Sequence, residues 1–357
     1  MQVGALREQF PVLRGLAYLN AGTDGPLAED AVRAAGEELA RAAREGRTHA
    51  HFERRHQLAG ELRAAYASLL GCAPEELALT SCTSEGLATV ITGLPLREGD
   101  EILTSDEEHP GLLGTLSAAR ELRGARIRTA PLAALPDAVG PRTRLVACSH
   151  VSWVSGEQAP TALGELELPV VLDGAQGVGA VPVDVRALRC DAYAGAGQKW
   201  LCGPDGTGML YVSPALRERI AVARRGYSNL SDPAAGVHAR AHPDARRFDS
   251  PALGAELLAC ALAGVRVLER AGWAAVHARA RTLATELAQM LAERGRAVRE
   301  RSATTLVSFQ STDPPAERAA LAERGVIVRD IPGMELLRAS VGAWNDHTDL
   351  ERLVRAL

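Results

Sequence analysis

Val170-Val-Leu-Asp-Gly-Ala-Gln-Gly-Val-Gly179 and, shortly after it, Ala194-Gly-Ala-Gly-Gln-Lys-Trp-Leu-Cys-Gly-Pro-Asp-Gly-Thr-Gly208 decide how this chain is read. Each begins as an apolar, strand-like run and breaks into a polar, glycine-rich loop. Pro-Val-Val-Leu before Asp173 has the unbroken hydrophobicity of a strand buried on both faces. In open α/β sheets, ligands bind beyond the carboxyl ends of such strands, so Asp173 stands where a ligand-facing carboxylate is expected. Asp173 also fits an ordinary turn or cap residue.

The second loop holds Lys199, the only lysine among 40 basic residues. Arginine replaces lysine everywhere else, as a GC-rich coding bias would do. A guanidinium cannot act as a neutral amine, because it stays protonated. A lysine retained here therefore suits a nucleophile that attacks a carbonyl, although one ordinary lysine could survive by chance. Pyridoxal 5'-phosphate (PLP) needs a lysine for its aldehyde and an acid for its pyridinium nitrogen. Asp173 and Lys199 offer both.

Asp173-Gly-Ala-Gln176, a following strand, Gly197-Gln-Lys199 and Gly203-Pro-Asp-Gly-Thr-Gly208 together resemble the class V aminotransferase family of fold-type I PLP enzymes. That family includes cysteine desulfurases, isopenicillin N epimerase and C–S lyases. The resemblance runs from Tyr18-Leu-Asn20 to Asn345. It implies an α/β fold with a large domain built on a mostly parallel central sheet and a smaller α+β C-terminal domain. The expected division is 13–262 for the large domain and 263–357, joined by the N-terminal arm 1–12, for the small one.

The resemblance also implies roles. Lys199 is expected to be the Schiff-base lysine, and Asp173, Gln176 and Gln198 are expected to bind the cofactor. Ser81-Cys-Thr-Ser-Glu-Gly86 leaves a strand and enters a helix, where free N–H groups suit a phosphate; Thr83 and Ser84 become phosphate ligands. The same residues fit a plain N-cap at Thr83 with Glu85 in the first turn. His109 is expected against the cofactor ring. Asn20, at the end of the short strand that leads into the loop Ala21-Gly-Thr-Asp-Gly-Pro26, and Arg338, in Leu337-Arg-Ala-Ser-Val341, are expected near the substrate carboxylate, which a guanidinium fork suits. Trp153 stands where desulfurases have asparagine and is read as an apolar wall of the site or as core.

The segment from Arg224 to Asp249 reads as a long irregular loop of the functional kind. In the family its counterpart crosses to a second subunit and helps complete the phosphate site there. Ser250 is assigned to that role, though Ser250-Pro251 departs from the family's Gly-Thr. A homodimer with a shared active site follows as an expectation.

The reaction is narrowed by an absence. Desulfurases carry a nucleophilic cysteine on a mobile loop before the closing arginine; Gly325 to Leu337 has none. The favoured reading is a C–S lyase performing β-elimination on a sulfur-containing amino acid. An aminotransferase or an epimerase is the alternative, and Cys82 or Cys202 would have to reach the substrate for a persulfide-forming reaction. Arg329, on the same segment, is read first as a surface ion pair with Asp330 and second as a holder of a distal carboxylate.

Composition excludes several classes. A net charge of −4 gives no footprint for nucleic acid or an anionic membrane. No apolar run approaches the ~20 residues of a membrane span, and the first residues carry no signal-peptide core. Six irregularly spaced cysteines without Cys-x-x-Cys argue against a structural metal and for reduced thiols in a cytoplasmic protein. Gly174 to Gly179 lacks the spacing of a nucleotide-binding oxidoreductase fingerprint. A non-catalytic module on a PLP-enzyme fold is the remaining alternative.

Overall fold

The computed structural model describes residues 2–357. Two short 3-10 turns lead into β1 (Ala17–Tyr18), followed by α1 (Glu29–Glu45) and α2 (His49–Leu70), which Gly71 ends in the left-handed conformation. Strands and helices then alternate: β2 (Leu77–Thr80), α3 (Thr83–Gly93), β3 (Glu101–Ser105), α4 (Pro110–Arg123), β4 (Arg126–Ala130), β5 (Thr143–Ser149), β6 (Val170–Asp173), the single turn α5 (Val185–Leu188), β7 (Ala192–Ala196), β8 (Gly208–Val212) and the short α6 (Pro214–Arg217). After an irregular stretch come α7 (Ala255–Ala271), α8 (Trp273–Glu293), β9 (Leu306–Gln310), α9 (Pro314–Glu323), β10 (Val326–Ile327), β11 (Arg329–Asp330), β12 (Leu336–Ser340) and α10 (His347–Ala356).

Seven strands form one sheet in the order β2-β8-β7-β6-β5-β3-β4, and only β8 runs against the rest. The expected α/β architecture with a mostly parallel sheet is what forms. Its central strands are buried on both faces, which is why they read as unbroken apolar runs. Leu58, Leu62 and Tyr66 of α2 and Leu258 and Leu262 of α7 cover one face. Leu87, Val90 and Ile91 of α3 and Leu112 and Leu116 of α4 cover the other.

The edge strand β4 escapes sequence reading. Arg126, Arg128 and Thr129 give it little apolar pattern, and a charged edge of this kind blocks pairing with a further strand.

The C-terminal layer is a three-stranded antiparallel sheet, β11-β12-β9. Leu283 and Leu287 of α8 and Leu350 and Leu353 of α10 pack on it. β1 pairs in parallel with β10, Ala17 opposite Val326 and Tyr18 opposite Ile327. The expected boundary at residue 13 puts this segment with the large domain, whereas its strand pairing lies with the C-terminal layer. Arg7 of the arm also reaches that layer, donating to Asp349 at 2.6 Å. The apolar run Val326-Ile-Val-Arg329 reads as one strand in sequence but is divided in the structure: Val328 is buried between β10 and β11, which pair with different partners.

Candidate active site

The parallel strands deliver their C-terminal ends to one side of the sheet, and a cavity of about 230 Å³ opens there. Thr83 and Ser84 after β2, His109 after β3, Trp153 after β5, Asp173, Ala175 and Gln176 at the end of β6, and Ala196, Gln198 and Lys199 after β7 all line it. Arg338 enters from β12 and Arg329 from β11.

Burial of Lys199 lowers its pKa to about 8; Arg338 and Arg329 push in the same direction, against Asp173 and Asp24. A lysine in that state is neutral often enough to attack a carbonyl or take a proton near neutrality. Burial raises the pKa of Asp173, while the N–H of Ala175, donating at 2.9 Å, and the charge of Lys199 hold it back. His109 caps α4, its Nδ1 accepting from Gly111 N at 3.0 Å. Burial, then Lys199, Arg338 and Arg329, hold its pKa down to about 4, so the ring is neutral. It stands edge-on to Trp153, ring centres 4.9 Å apart.

Gln176 is fixed on both sides. Its Oε1 accepts from Trp200 Nε1 at 3.0 Å, and its Nε2 donates to Gly22 O at 2.7 Å. One amide hydrogen is left over for a ligand. Arg338 is 2% exposed and donates from Nη1 to Trp153 O at 2.8 Å. Burial, with Arg329 nearby, lowers its pKa to about 9.

Two consecutive carboxylates tie down the His109 loop. Glu107 accepts from Ser152 and Ser155, each at 2.6 Å, and pairs with Arg299 at 2.5 Å. Glu108 accepts from Ser105 Oγ at 2.5 Å, Ser149 N at 2.9 Å and Ser149 Oγ at 2.6 Å. Burial lifts its pKa to about 7, against those hydrogen bonds and with a smaller push from Asp173. This carboxyl plugs the gap where β3 and β5 part.

Several buried polar atoms lack protein partners, and the hydroxyl and N–H donors among them suit the anionic oxygens of a phosphate ester or a carboxylate. Thr83 Oγ1, Gln198 Oε1, Arg338 Nε and Trp153 Nε1 are buried and unbonded, a cost of about 1–3 kcal/mol each unless a ligand meets them. All four side chains line the cavity beside Lys199. Thr83 and Ser84 open α3, where backbone N–H groups lack helical partners. Gly111 leaves room there, since a Cβ on it would stand 2.5 Å from Ser84 Oγ. Cys82, not Thr83, occupies the N-cap position, so the plain-cap reading of Thr83 is overturned and its hydroxyl is left for a ligand.

Two expected residues are elsewhere. Asn20 does not line the cavity; its Oδ1 accepts from Thr23 Oγ1 at 2.8 Å and shapes the turn that does. Ser250 lies in a separate groove with Arg63, Tyr227 and Asp249, its N–H donating to Leu79 O at 2.7 Å. The ion pair expected between Arg329 and Asp330 is absent: Asp330 pairs with Arg318 at 2.9 Å, and Arg329 turns into the cavity. Neighbouring residues on a strand point to opposite faces, so Arg329 and Asp330 cannot readily meet. Cys82 lines the cavity beside Thr83, whereas buried Cys202 does not. The sequence alone gives no role to Gly22, Thr23, Glu107 or Glu108. The turn-rich sequence 21–26 was the available signal for the first two.

A family profile described as aminotransferase class V matches residues 18–354. Isopenicillin N epimerase from Amycolatopsis lactamdurans is 30% identical, with 98% of this chain and 96% of that one covered. Among solved structures, the cystine C–S lyase C-DES bound to its reaction product cysteine persulfide superposes with a TM-score of 0.92 at 28% identity, over 97% of this chain and 98% of that one. A variant of C-DES carries glycine covalently linked to its PLP cofactor. The cysteine desulfurase CsdA from Escherichia coli gives 0.89 at 25% identity, over 100% and 97%.

Proposed function

The chain belongs to the class V aminotransferase family of PLP-dependent enzymes, and on that premise we propose that it is a C–S lyase that eliminates the sulfur substituent from a sulfur-containing amino acid. One observation carries the choice over persulfide-forming desulfuration. The segment that would hold a mobile cysteine is a tight turn between β11 and β12, closed by Ile331 N to Leu336 O at 3.0 Å, and it contains no thiol.

In this reading Thr83, Ser84 and Gln198 would hold the cofactor's phosphate, Asp173 its ring nitrogen and Gln176 its phenolic oxygen, and His109 would lie against its ring. The bound cofactor supplies a sink for the electron pair left at the substrate Cα. Arg338 binds the α-carboxylate through its free Nε edge and thereby sets which Cα bond faces Lys199. Lys199 Nζ takes the Cα proton; its lowered pKa suits that work near neutral pH. The Cβ–S bond breaks with its electrons going to sulfur. Net, the substrate and one water give a thiol, pyruvate and ammonia. Trp153 and His109 would form a wall that keeps bulk water from the substrate Cα.

A second reading, epimerisation, is favoured by the epimerase relative that spans nearly the whole chain. It needs a proton returned to the opposite face of Cα and no leaving group. Single turnover on cysteine S-conjugates separates the two. Stoichiometric pyruvate and thiol support the lyase; an inverted amino acid with no pyruvate supports the epimerase; alanine with a protein-bound persulfide would overturn both.

We also infer a homodimer. Ser250 lines a groove separate from its own chain's cavity, and Phe52 and Tyr227 expose apolar surface in that groove. An active species of monomer mass in sedimentation would refute this. No helix among the described residues is long and apolar enough to cross a membrane, and six free cysteines support a cytoplasmic location.

A further inference from the structure

Trp153 and His109 reach the cavity from different strands, yet their rings meet edge to face. The tip that carries Trp153 leaves the parallel sheet after β5 and is then fastened to the C-terminal layer. Arg338 Nη1 donates to Trp153 O and Ser308 Oγ to Val154 O. Thr304 Oγ1 donates to Gly156 O at 2.8 Å, and Ser302 Oγ accepts from Gln158 N at 3.0 Å. Trp153 and Val154 also pack on Ile331 and Leu336, at the two ends of the turn between β11 and β12. His109, by contrast, caps α4 and belongs with the parallel sheet. The two rings therefore keep one geometry only if the sheet and the C-terminal layer are tied together beside them.

Glu107 makes that tie. It stands two residues before His109, and its side chain is 16% exposed. Oε2 accepts from Ser152 Oγ and Ser155 Oγ, each at 2.6 Å, and Oε1 accepts from Arg299 Nη2 at 2.5 Å. Ser152 Oγ accepts in turn from the N–H groups of Val154 at 3.2 Å and Ser155 at 3.1 Å, so the carboxylate also sets the backbone that follows Trp153. Arg299 belongs to the C-terminal layer. Its N–H donates to Ser308 O at 2.9 Å, beside the bridge between Val298 and Phe309. Burial works against the charge on Glu107, but the two serine hydroxyls and then Arg299 bring its pKa below the ordinary carboxylate value. A carboxylate kept ionised accepts from all three donors at once, as a neutral acid would not.

We propose that Glu107 is a positioning residue of the active site: anchored by Arg299, it locks the Trp153 tip to the His109 loop. It thereby fixes the ring that lies against the cofactor and, through the Trp153 carbonyl, the guanidinium of Arg338. The proposal rests on the places given above to His109 and Arg338, and holds for elimination and epimerisation alike.

Glu107→Gln keeps an oxygen for the serines and loses the ion pair; Arg299→Gln removes its other half. Both are purified as PLP holoenzymes. Circular dichroism of the cofactor band reports how firmly its ring is held, and titration with S-methylcysteine, followed by the cofactor's absorbance, reports the amino-acid site. Each variant should retain PLP, lose part of the dichroic band and bind S-methylcysteine about tenfold more weakly, the worth of one charge-assisted contact. The double variant should be no worse than either single one, because the two residues act as a unit. Arg299→Lys should recover most of the loss, since a single Nη2 contact needs only a point charge. Wild-type dichroism and binding in Glu107→Gln, or losses that simply add, overturn the proposal. Should Glu107→Gln fail to fold, Arg299→Gln decides alone, because that side chain is 50% exposed. His109→Gln tests the underlying reading separately. A cofactor band indifferent to it removes His109 from the ring, whereas a band that answers to His109→Gln but not to Glu107→Gln sinks only the tie.

Discussion

Gly25 lies flat against the carbonyl of Lys199: its N–H donates to Gln198 O at 2.7 Å, and a Cβ at position 25 would overlap Lys199 O. The loop that begins at Asn20 is thus a template for the backbone that aims the lysine. Only a residue without a side chain allows that approach. Gly25→Ala should push the lysine loop outward and cost about 1–3 kcal/mol as an overpacked site. A thermal melt and the PLP stoichiometry of the purified variant check it. Wild-type cofactor content with an unchanged melt would show that the contact is slack.

Lys199 should be the residue that holds PLP covalently. Because the chain has no second lysine, Lys199→Ala leaves no side-chain amine to replace it. Borohydride treatment followed by peptide mass mapping should find PLP on the peptide containing Lys199 in the wild type and nowhere in the variant. A reduced adduct elsewhere in the variant would remove the assignment.

Arg338 should bind the substrate carboxylate. It is buried, lacks a carboxylate partner and leaves Nε unbonded in the cavity. Arg338→Ala should weaken amino-acid binding by about 2–5 kcal/mol, the usual loss when a buried charge pair is truncated, while PLP remains bound. Equal losses of cofactor and amino acid would assign Arg338 a structural role instead.

His150 should make the fold sensitive to acid. It is 3% exposed, its Nδ1 lies 3.0 Å from Tyr193 Oη, and burial lowers its pKa from 6.5 to about 4. The unfolded chain takes up a proton near pH 6.5 and the folded chain only near 4. Its contribution is therefore complete above pH 6.5 and is lost as pH falls through that window, by about 3 kcal/mol in all. Denaturant unfolding of His150→Gln between pH 7 and 4 should give a flatter acid limb than the wild type. Identical limbs would mean that other groups carry the acid response.

The sequence by itself determined the fold and most of the site because both rest on local signals. Unbroken apolar runs marked β6 and β7, glycine-rich exits marked their carboxyl ends, and a lone lysine and an aspartate at those exits marked the chemistry. Thr83, Ser84, His109, Trp153, Gln176 and Arg338 followed from motifs of a few residues each. The tertiary structure decided whatever depends on residues far apart in the chain. Arg329 pairs with no neighbour because strand geometry turns Asp330 to the other face, where α9 brings Arg318 to it. Gly22 and Thr23 reach the cavity because their loop lies against the lysine loop, from far along the chain, through Gly25. Glu107 and Glu108 look like solvated turn acids in sequence; β5 and its exit loop, some forty residues on, give them serine partners and bury Glu108. Burial and charge proximity are sums over the whole fold, and no short stretch of sequence contains them.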